Sequence, residues 1–188
     1  MKKIKKKICG ITGSTGTLGS ELIRSREFKF KKFNGDVSNK KELENWIRKN
    51  KFDLFIHLAA IVPVNEVKKN FKLAKQVNVI GTKYLVNSLI KHQSNLKWLF
   101  FASTSHVYNY SNKKIKEKRN TKPINKYGLT KLYAEKHIIK KFRKSKIKFC
   151  IGRIFSFFSI NQPLNYLVPV LIKKLSNKRN KKLVLKDL

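Results

Sequence analysis

The sequence predicts an α/β fold, a doubly wound parallel sheet with helices on both faces. Three observations carry that expectation. Short runs of β-branched, aromatic and other apolar residues alternate with longer segments of helical periodicity, the pattern of parallel strands joined by crossover helices. A glycine-rich turn stands directly between the first run and the first helical segment, where such sheets make their first tight turn. The chain has 188 residues, 41% of them hydrophobic and only four of them proline, so it can enclose a core of its own.

Taken in order, residues 4–12 form the first expected strand and 18–26 the first helix. The second strand is expected over 28–33. A helix over 40–49 follows, with Ser38 as its cap and Glu42 and Glu44 as an acidic first turn. The third strand spans 52–58, a long helical stretch covers about 67–91, and the fourth strand spans 98–103. Residues 110–125 are polar and basic with Pro123 near their end, an exposed loop. In the helix expected over 127–143, Leu132, Ile138, Ile139 and Phe142 mark a buried face while Lys136, Lys140 and Lys141 point to water. A fifth strand spans 147–154. Residues 164–175 and 183–185 read as the beginning of a second lobe, which divides the chain into 1–160 and 161–188.

Composition narrows the function classes. The formal net charge is +35, carried by 38 Lys and 7 Arg spread over nearly every segment, alongside 17 Asn. A nucleic-acid site favours clustered Arg for bidentate and stacking contacts, so no nucleic-acid partner is expected. The field of such a chain still concentrates anionic ligands around it. The longest apolar run, residues 54–64, is shorter than the roughly 20 residues that span a bilayer, so no membrane span is expected. Residues 1–7 are basic, but Gly13, Ser14 and Gly16 leave no room for an apolar signal region, which points to the cytoplasm. Cys9 and Cys150 each lie in an apolar run that reads as a buried strand, and no cluster has metal-ligand spacing, so no metal is expected.

Three motifs can carry chemistry. Thr12-Gly13-Ser14-Thr15-Gly16-Thr17-Leu18-Gly19 lies between a strand and a helix. There Gly13 can make the tight turn, Gly16 can admit a pyrophosphate to the backbone N–H groups, and Gly19 can let helix and strand pack closely. Tyr127-Gly128-Leu129-Thr130-Lys131 puts a phenol and an ammonium on one helical face. A phenol titrates near 10, about three units too high for a base at neutral pH, and a neighbouring cation favours its phenolate. Ala102-Ser103-Thr104-Ser105-His106-Val107-Tyr108 ends a strand, where doubly wound sheets bind their ligands. Taken singly, each has an ordinary structural explanation.

In this order and spacing the three resemble the extended short-chain dehydrogenase/reductase family, the NAD(P)-dependent sugar-nucleotide epimerases, dehydratases and reductases with a Rossmann-like fold. Gly35-Asp36-Val37, His57-Leu58-Ala59-Ala60, Asn78-Val79-Ile80-Gly81-Thr82 and Gly152-Arg153-Ile154 agree, so the resemblance covers about residues 4–175. It implies that Tyr127 is the catalytic acid/base, that Lys131 binds the nicotinamide ribose and tunes Tyr127, and that Thr104 hydrogen-bonds the reacting substrate oxygen. It implies further that Gly13, Thr15, Gly16, Thr17, Leu18 and Gly19 hold the dinucleotide phosphates, with Asp36 and Val37 beside the adenine. Leu58, Ala59 and Ala60 would line the cofactor, and Asn78 would support the site from its helix. The implied cofactor is NAD or NADP, the implied partner a nucleotide-sugar substrate, and a homodimer is compatible with it.

The sequence departs from the family pattern in three places. Ser105 and His106 stand where sugar-nucleotide 4,6-dehydratases carry Asp-Glu, which disfavours a dehydratase and leaves His106 an exposed loop residue. Only 17 positions separate Gly19 from Asp36, too few for the usual two strands and a helix, an abbreviation similar to that of dTDP-4-dehydrorhamnose reductases. It also removes the usual acidic residue at the adenosine ribose, where Arg24, Lys31 or Lys32 could instead receive a 2′-phosphate. Residues 161–188 are too few for the substrate lobe that the family carries. The expectation is therefore a sugar-nucleotide epimerase or reductase, with a 4-keto sugar-nucleotide reductase or a non-catalytic dinucleotide-binding module as the alternatives.

Overall fold

The computed structural model describes residues 6–62, 64–159, 162, 164 and 166–176. The chain divides into two compact units between Phe155 and Ser156. In the first, strands β1 (Ile8–Thr12), β2 (Lys29–Phe33), β3 (Leu54–His57), β4 (Trp98–Thr104) and β5 (Lys148–Ile154) form one parallel sheet in the order β2-β1-β3-β4-β5. The order reverses at β1, which pairs with β2 on one side, Cys9 opposite Phe30, and with β3 on the other, Cys9 opposite Leu54. The crevice outside the carboxyl end of β1 is thus the switch point at which doubly wound sheets bind ligands. A single strand lies beyond β1 on the β2 side, as the short spacing from Gly19 to Asp36 requires.

Helix α1 (Thr17–Arg24) follows β1, and α2 (Lys40–Lys49) follows β2 with the bounds expected from its pattern. Its cap is Asn39, whose side chain accepts from Glu42 N at 3.2 Å, and not Ser38. Ser38 donates from N and Oγ to the Asp36 carboxylate, both at 2.8 Å, closing the turn one residue earlier. The long helix expected over 67–91 is four pieces: α3 (Val64–Lys69), α4 (Phe71–Lys75), a π-helical segment (Gln76–Gly81) and α5 (Thr82–His92). Asn70 makes the first break by accepting from Leu73 N at 2.9 Å, a local bond that competes with a continuing helix. A 3₁₀ turn (Ser105–Val107) follows β4, and α6 (Lys126–Phe142) leads into β5.

The two faces of the sheet are unequally covered. On one, Leu43 and Ile47 from α2, Leu85 and Leu89 from α5 and Ile138 and Phe142 from α6 join Phe55, Leu99 and Phe101 from the strands in the main core. Burial of each such side chain is worth about 1.5–3 kcal/mol. On the other, Cys9, Ile11 and Ile56 pack with Leu22 of α1. Cys9 is fully buried, which pushes its thiol up to about 12. Cys150 is exposed, contrary to expectation, because β5 is an edge strand on which Phe149 turns toward Phe142 and Cys150 points the other way. In α6 the buried stripe is also shifted. Ile139 is only partly buried, and Glu135 takes a place among the buried residues.

In the second unit, α7 (Leu167–Ser176) occupies most of the expected 164–175 segment, with Ile172 and Leu175 exposed. Residues 183–185 lie outside the described residues.

Candidate active site

The sequence motifs meet at the carboxyl ends of the strands. Gly13 leaves β1 at φ +73°, a conformation that a side chain resists, and a Cβ there would lie 2.6 Å from Ala59 N. A Cβ on Gly19 would overlap the Gly13 carbonyl oxygen and lie 2.8 Å from Ser14 Cα. The loop is therefore pressed against both α1 and the end of β3. Gly16 faces open space, the nearest atom to a Cβ there being Gly13 O at 3.6 Å. It caps α1 through its backbone, with no side-chain hydrogen bond and no acidic residue in the first turn. The helix thus presents free N–H groups and the positive end of its dipole where Thr15 and Gly16 are exposed, a setting for an anion. These features fit a dinucleotide pyrophosphate.

Behind the loop runs a directed chain of hydrogen bonds. Ala59 N donates to Thr12 Oγ1 at 3.4 Å, and Thr12 Oγ1 lies 2.6 Å from His57 Nδ1. His57 Nε2 lies 2.9 Å from Thr82 Oγ1, which donates its proton to Asn78 O at 2.7 Å. Because Thr82 spends its proton on Asn78, it must accept from His57 Nε2–H, and His57 Nδ1 must accept from Thr12. One neutral tautomer satisfies every group. Full burial, with the nearby Lys131 charge second, holds the His57 imidazole down to about 3. Asn78 continues the path: Oδ1 accepts from Ile61 N at 2.8 Å, while Nδ2 donates to Ile61 O at 3.0 Å and Thr130 Oγ1 at 3.1 Å. With three protein bonds made, its amide is a support between the segment after β3 and α6.

Thr104, Tyr127 and Lys131 are all buried at the adjacent strand end. The end of β4 is docked onto the start of α6, since a Cβ on Gly128 would overlap the His106 carbonyl oxygen and Ile124 N donates to that same oxygen at 3.2 Å. Asn125 caps α6 by accepting from Gly128 N at 2.8 Å and turns its amide nitrogen to His106 Nδ1 at 2.9 Å. His106 is consequently half-buried, its ring edge-on to that of Tyr127 with centroids 5.7 Å apart, and not the exposed loop residue expected. Thr104 Oγ1 accepts from His106 N at 3.3 Å. Lys131 lies over the face of Phe101, 4.3 Å from its centroid, and burial lowers its ammonium to about 7, an effect the Glu135 charge opposes.

Asp36, expected beside an adenine, is exposed and turned to Ser38, while Val37 is buried against Gly81. Arg24 pairs with Glu21 at 2.7 Å on the surface. The sequence motifs contained Thr12, Thr82 and Ser103 without the structural roles seen here, and Asn125 and Glu135 lay outside them. The available signal for Glu135 was its spacing, three and seven residues before Ile138 and Phe142 on one helical face. Among the described residues no His/Cys/Asp/Glu group could hold a metal, and no helix is long and apolar enough to cross a membrane.

Comparison with known proteins gives this geometry a context. Residues 12–188 match the family model described as GDP-mannose 4,6 dehydratase. A dTDP-D-glucose 4,6-dehydratase from Dictyostelium discoideum is 31% identical over 168 residues, covering 82% of this chain and 38% of that protein. A UDP-glucose 4-epimerase from Pisum sativum is 35% identical over 119 residues, 63% of this chain and 32% of the relative. Among solved structures, dTDP-4-dehydrorhamnose reductase from Bacillus anthracis in complex with NADP shares the fold with a TM-score of 0.74 at 24% identity, covering 85% of this chain and 58% of that one. The chain thus spans about a third to three fifths of the length of these proteins. With the glycine loop, the Tyr127 helix and the family model all in agreement, the chain belongs to the GDP-mannose 4,6 dehydratase family, within the NAD-dependent epimerase/dehydratase group of extended short-chain dehydrogenases/reductases.

Proposed function

We propose that this chain binds NAD or NADP and serves a cytoplasmic sugar-nucleotide epimerase or reductase. The observation that carries the reading is the burial of Tyr127 and Lys131 on one helix, docked against the Thr104 end of β4, beside a glycine loop open to an anion. Gly13, Gly16 and Gly19 with the first turn of α1 would hold the pyrophosphate, and Ala59 and Ala60 would line the dinucleotide. The bound dinucleotide supplies hydride transfer at a sugar carbon. Tyr127 then moves the proton of the sugar hydroxyl, and Thr104 Oγ1 hydrogen-bonds the same oxygen. Lys131, whose ammonium titrates about 7, supplies positive charge that favours the phenolate. Ser105 and His106 lack the carboxyl groups expected of a water-eliminating acid and base, which speaks for an epimerase or reductase over a dehydratase.

A one-way 4-keto sugar-nucleotide reductase is the second reading, favoured by the single strand beyond β1. The test is fluorescence titration of the purified chain with NADH and NADPH, then assay with a panel of sugar nucleotides. Dinucleotide binding with an epimerised or reduced sugar is the expected result. Failure to bind either dinucleotide overturns the reading. Ultracentrifugation of the same sample tests the homodimer that belongs to it.

A further inference from the structure

The helix that carries Tyr127 buries a second charge that the proposed chemistry does not use. Glu135 stands one helical turn beyond Lys131 and is 1% exposed. Its carboxylate is fixed on both oxygens. Ser103 Oγ donates to Oε1, Arg153 Nε donates to Oε1 and Oε2 at 3.1 and 3.2 Å, and Arg153 Nη2 donates to Oε2 at 2.7 Å. Arg153 is itself fixed, with Nη1 donating to Tyr108 Oη at 2.7 Å and the guanidinium 4.8 Å from the Tyr108 ring centre.

Lys131 stands in surroundings that disfavour a cation. It is 2% exposed and lies over Phe101 of β4. The titratable groups around it are Tyr127 and Glu135 on its own helix, His57 on β3, and Arg153 on β5, bonded to Glu135. His57 is held neutral by its burial, with the Lys131 charge second, and offers no compensation. Glu135 supplies the negative charge.

We propose that Glu135 is the positioning residue of the Lys131 cation: a carboxylate clamped by Ser103 and Arg153 that sets how firmly Lys131 holds its proton, and so the charge beside the Tyr127 phenol. A carboxylate free to turn to solvent would lose its hold on a buried ammonium, whereas one locked by charge-assisted bonds keeps a fixed distance. The opposing action of Glu135 on the lowered Lys131 titration agrees with this. The competing role is a strut, in which Glu135 only ties β5 to α6 through Arg153.

The inference rests on Tyr127 and Lys131 being the acid/base pair, but its test reads Lys131 alone. In the 1–188 chain with ¹³C-labelled lysine, the Lys131 Cε resonance is identified by its loss in K131Q and followed against pH. In E135Q its midpoint should fall by about one unit or more, while E135D, which keeps the charge, should restore most of the fall. Removing one partner of a buried pair can unfold a protein where removing both does not, so E135Q/R153M is measured in parallel. Its midpoint should also lie below that of the wild type. An unchanged midpoint in either folded variant makes Glu135 a strut and overturns the proposal. A midpoint that falls as expected in a chain that binds neither NADH nor NADPH upholds the role of Glu135 and overturns the proposed function instead.

Discussion

The two ends of the candidate site solve opposite problems. At the glycine loop the working groups are backbone N–H groups, and what they need is the absence of side chains: Gly16 opens on space, while Gly13 and Gly19 let three stretches of backbone touch. At the Tyr127 helix the working groups are ionisable side chains, and what they need is company. Lys131, Glu135 and His57 are nearly or fully buried: Glu135 is paired with Arg153, His57 is hydrogen-bonded to Thr12 and Thr82, and Lys131 lies over the Phe101 ring. The first end is therefore governed by sterics and the second by electrostatics, so substitutions at the two should fail in different ways.

The largest expected effect lies in the chemistry of the second end. Tyr127→Phe should cut turnover by about 10² to 10⁴, the range of general acid/base catalysis, with NAD(P)H affinity held. Equal loss of cofactor affinity would make Tyr127 a packing residue. The loop should next separate two glycines of one motif. Gly19→Val drives a Cβ into Gly13 and Ser14, so thermal unfolding should show a loss of roughly 1–3 kcal/mol or more. A Cβ on Gly16 makes only an ordinary contact, with Gly13 O at 3.6 Å, so Gly16→Val should melt close to wild type while dinucleotide affinity falls about tenfold or more, about 1.4 kcal/mol per decade. If the two variants behave alike, the steric account of the loop is wrong.

Lys131→Met tests the electrostatic end through pH. The folded chain releases the Lys131 proton near 7, whereas an unfolded lysine keeps its proton to about 10.4. Between those values the unfolded state binds more protons, so stability rises with pH across the window, and below about 7 the penalty is constant. The variant should be more stable than wild type by about 1–4 kcal/mol at pH 6, with the difference shrinking toward pH 10 in urea titrations. A pH-independent difference would show that Lys131 is not the group responsible. The smallest effect is expected at Thr82→Val, which strands His57 Nε2–H and should cost about 1–3 kcal/mol of stability with dinucleotide affinity little changed.

What the sequence revealed follows the same division. Strands, the glycine turn and α2 depend on local backbone pattern, and their places could be read directly. The cap at Asn39 rather than Ser38 was a choice between two neighbouring capping residues, decided by the Asp36 turn. Cys150 was misjudged because β-propensity marks a strand without saying that it will stand at an edge. Glu135 was missed since a carboxylate in a lysine-rich helix looks like a surface ion pair, and Ser103 and Arg153 come to it from two other strands. His106 reached Tyr127 only through the fold of the 105–125 segment, which local pattern does not encode.

The π segment at Gln76–Gly81 has one more consequence. Each π turn takes up an extra residue compared with an α turn, so it resets the angular phase of the helical run that passes through it. Before it, Val67 and Ala74 face the small cluster that holds Tyr127; after it, Leu85 and Leu89 face the main core. Winding the same six residues as α-helix would turn its two halves by about 100° relative to one another, whereas deleting one of them on rewinding would nearly keep their phase. The π turn is thus what lets a run one residue too long for α-helix keep the Tyr127 cluster and the main core in phase.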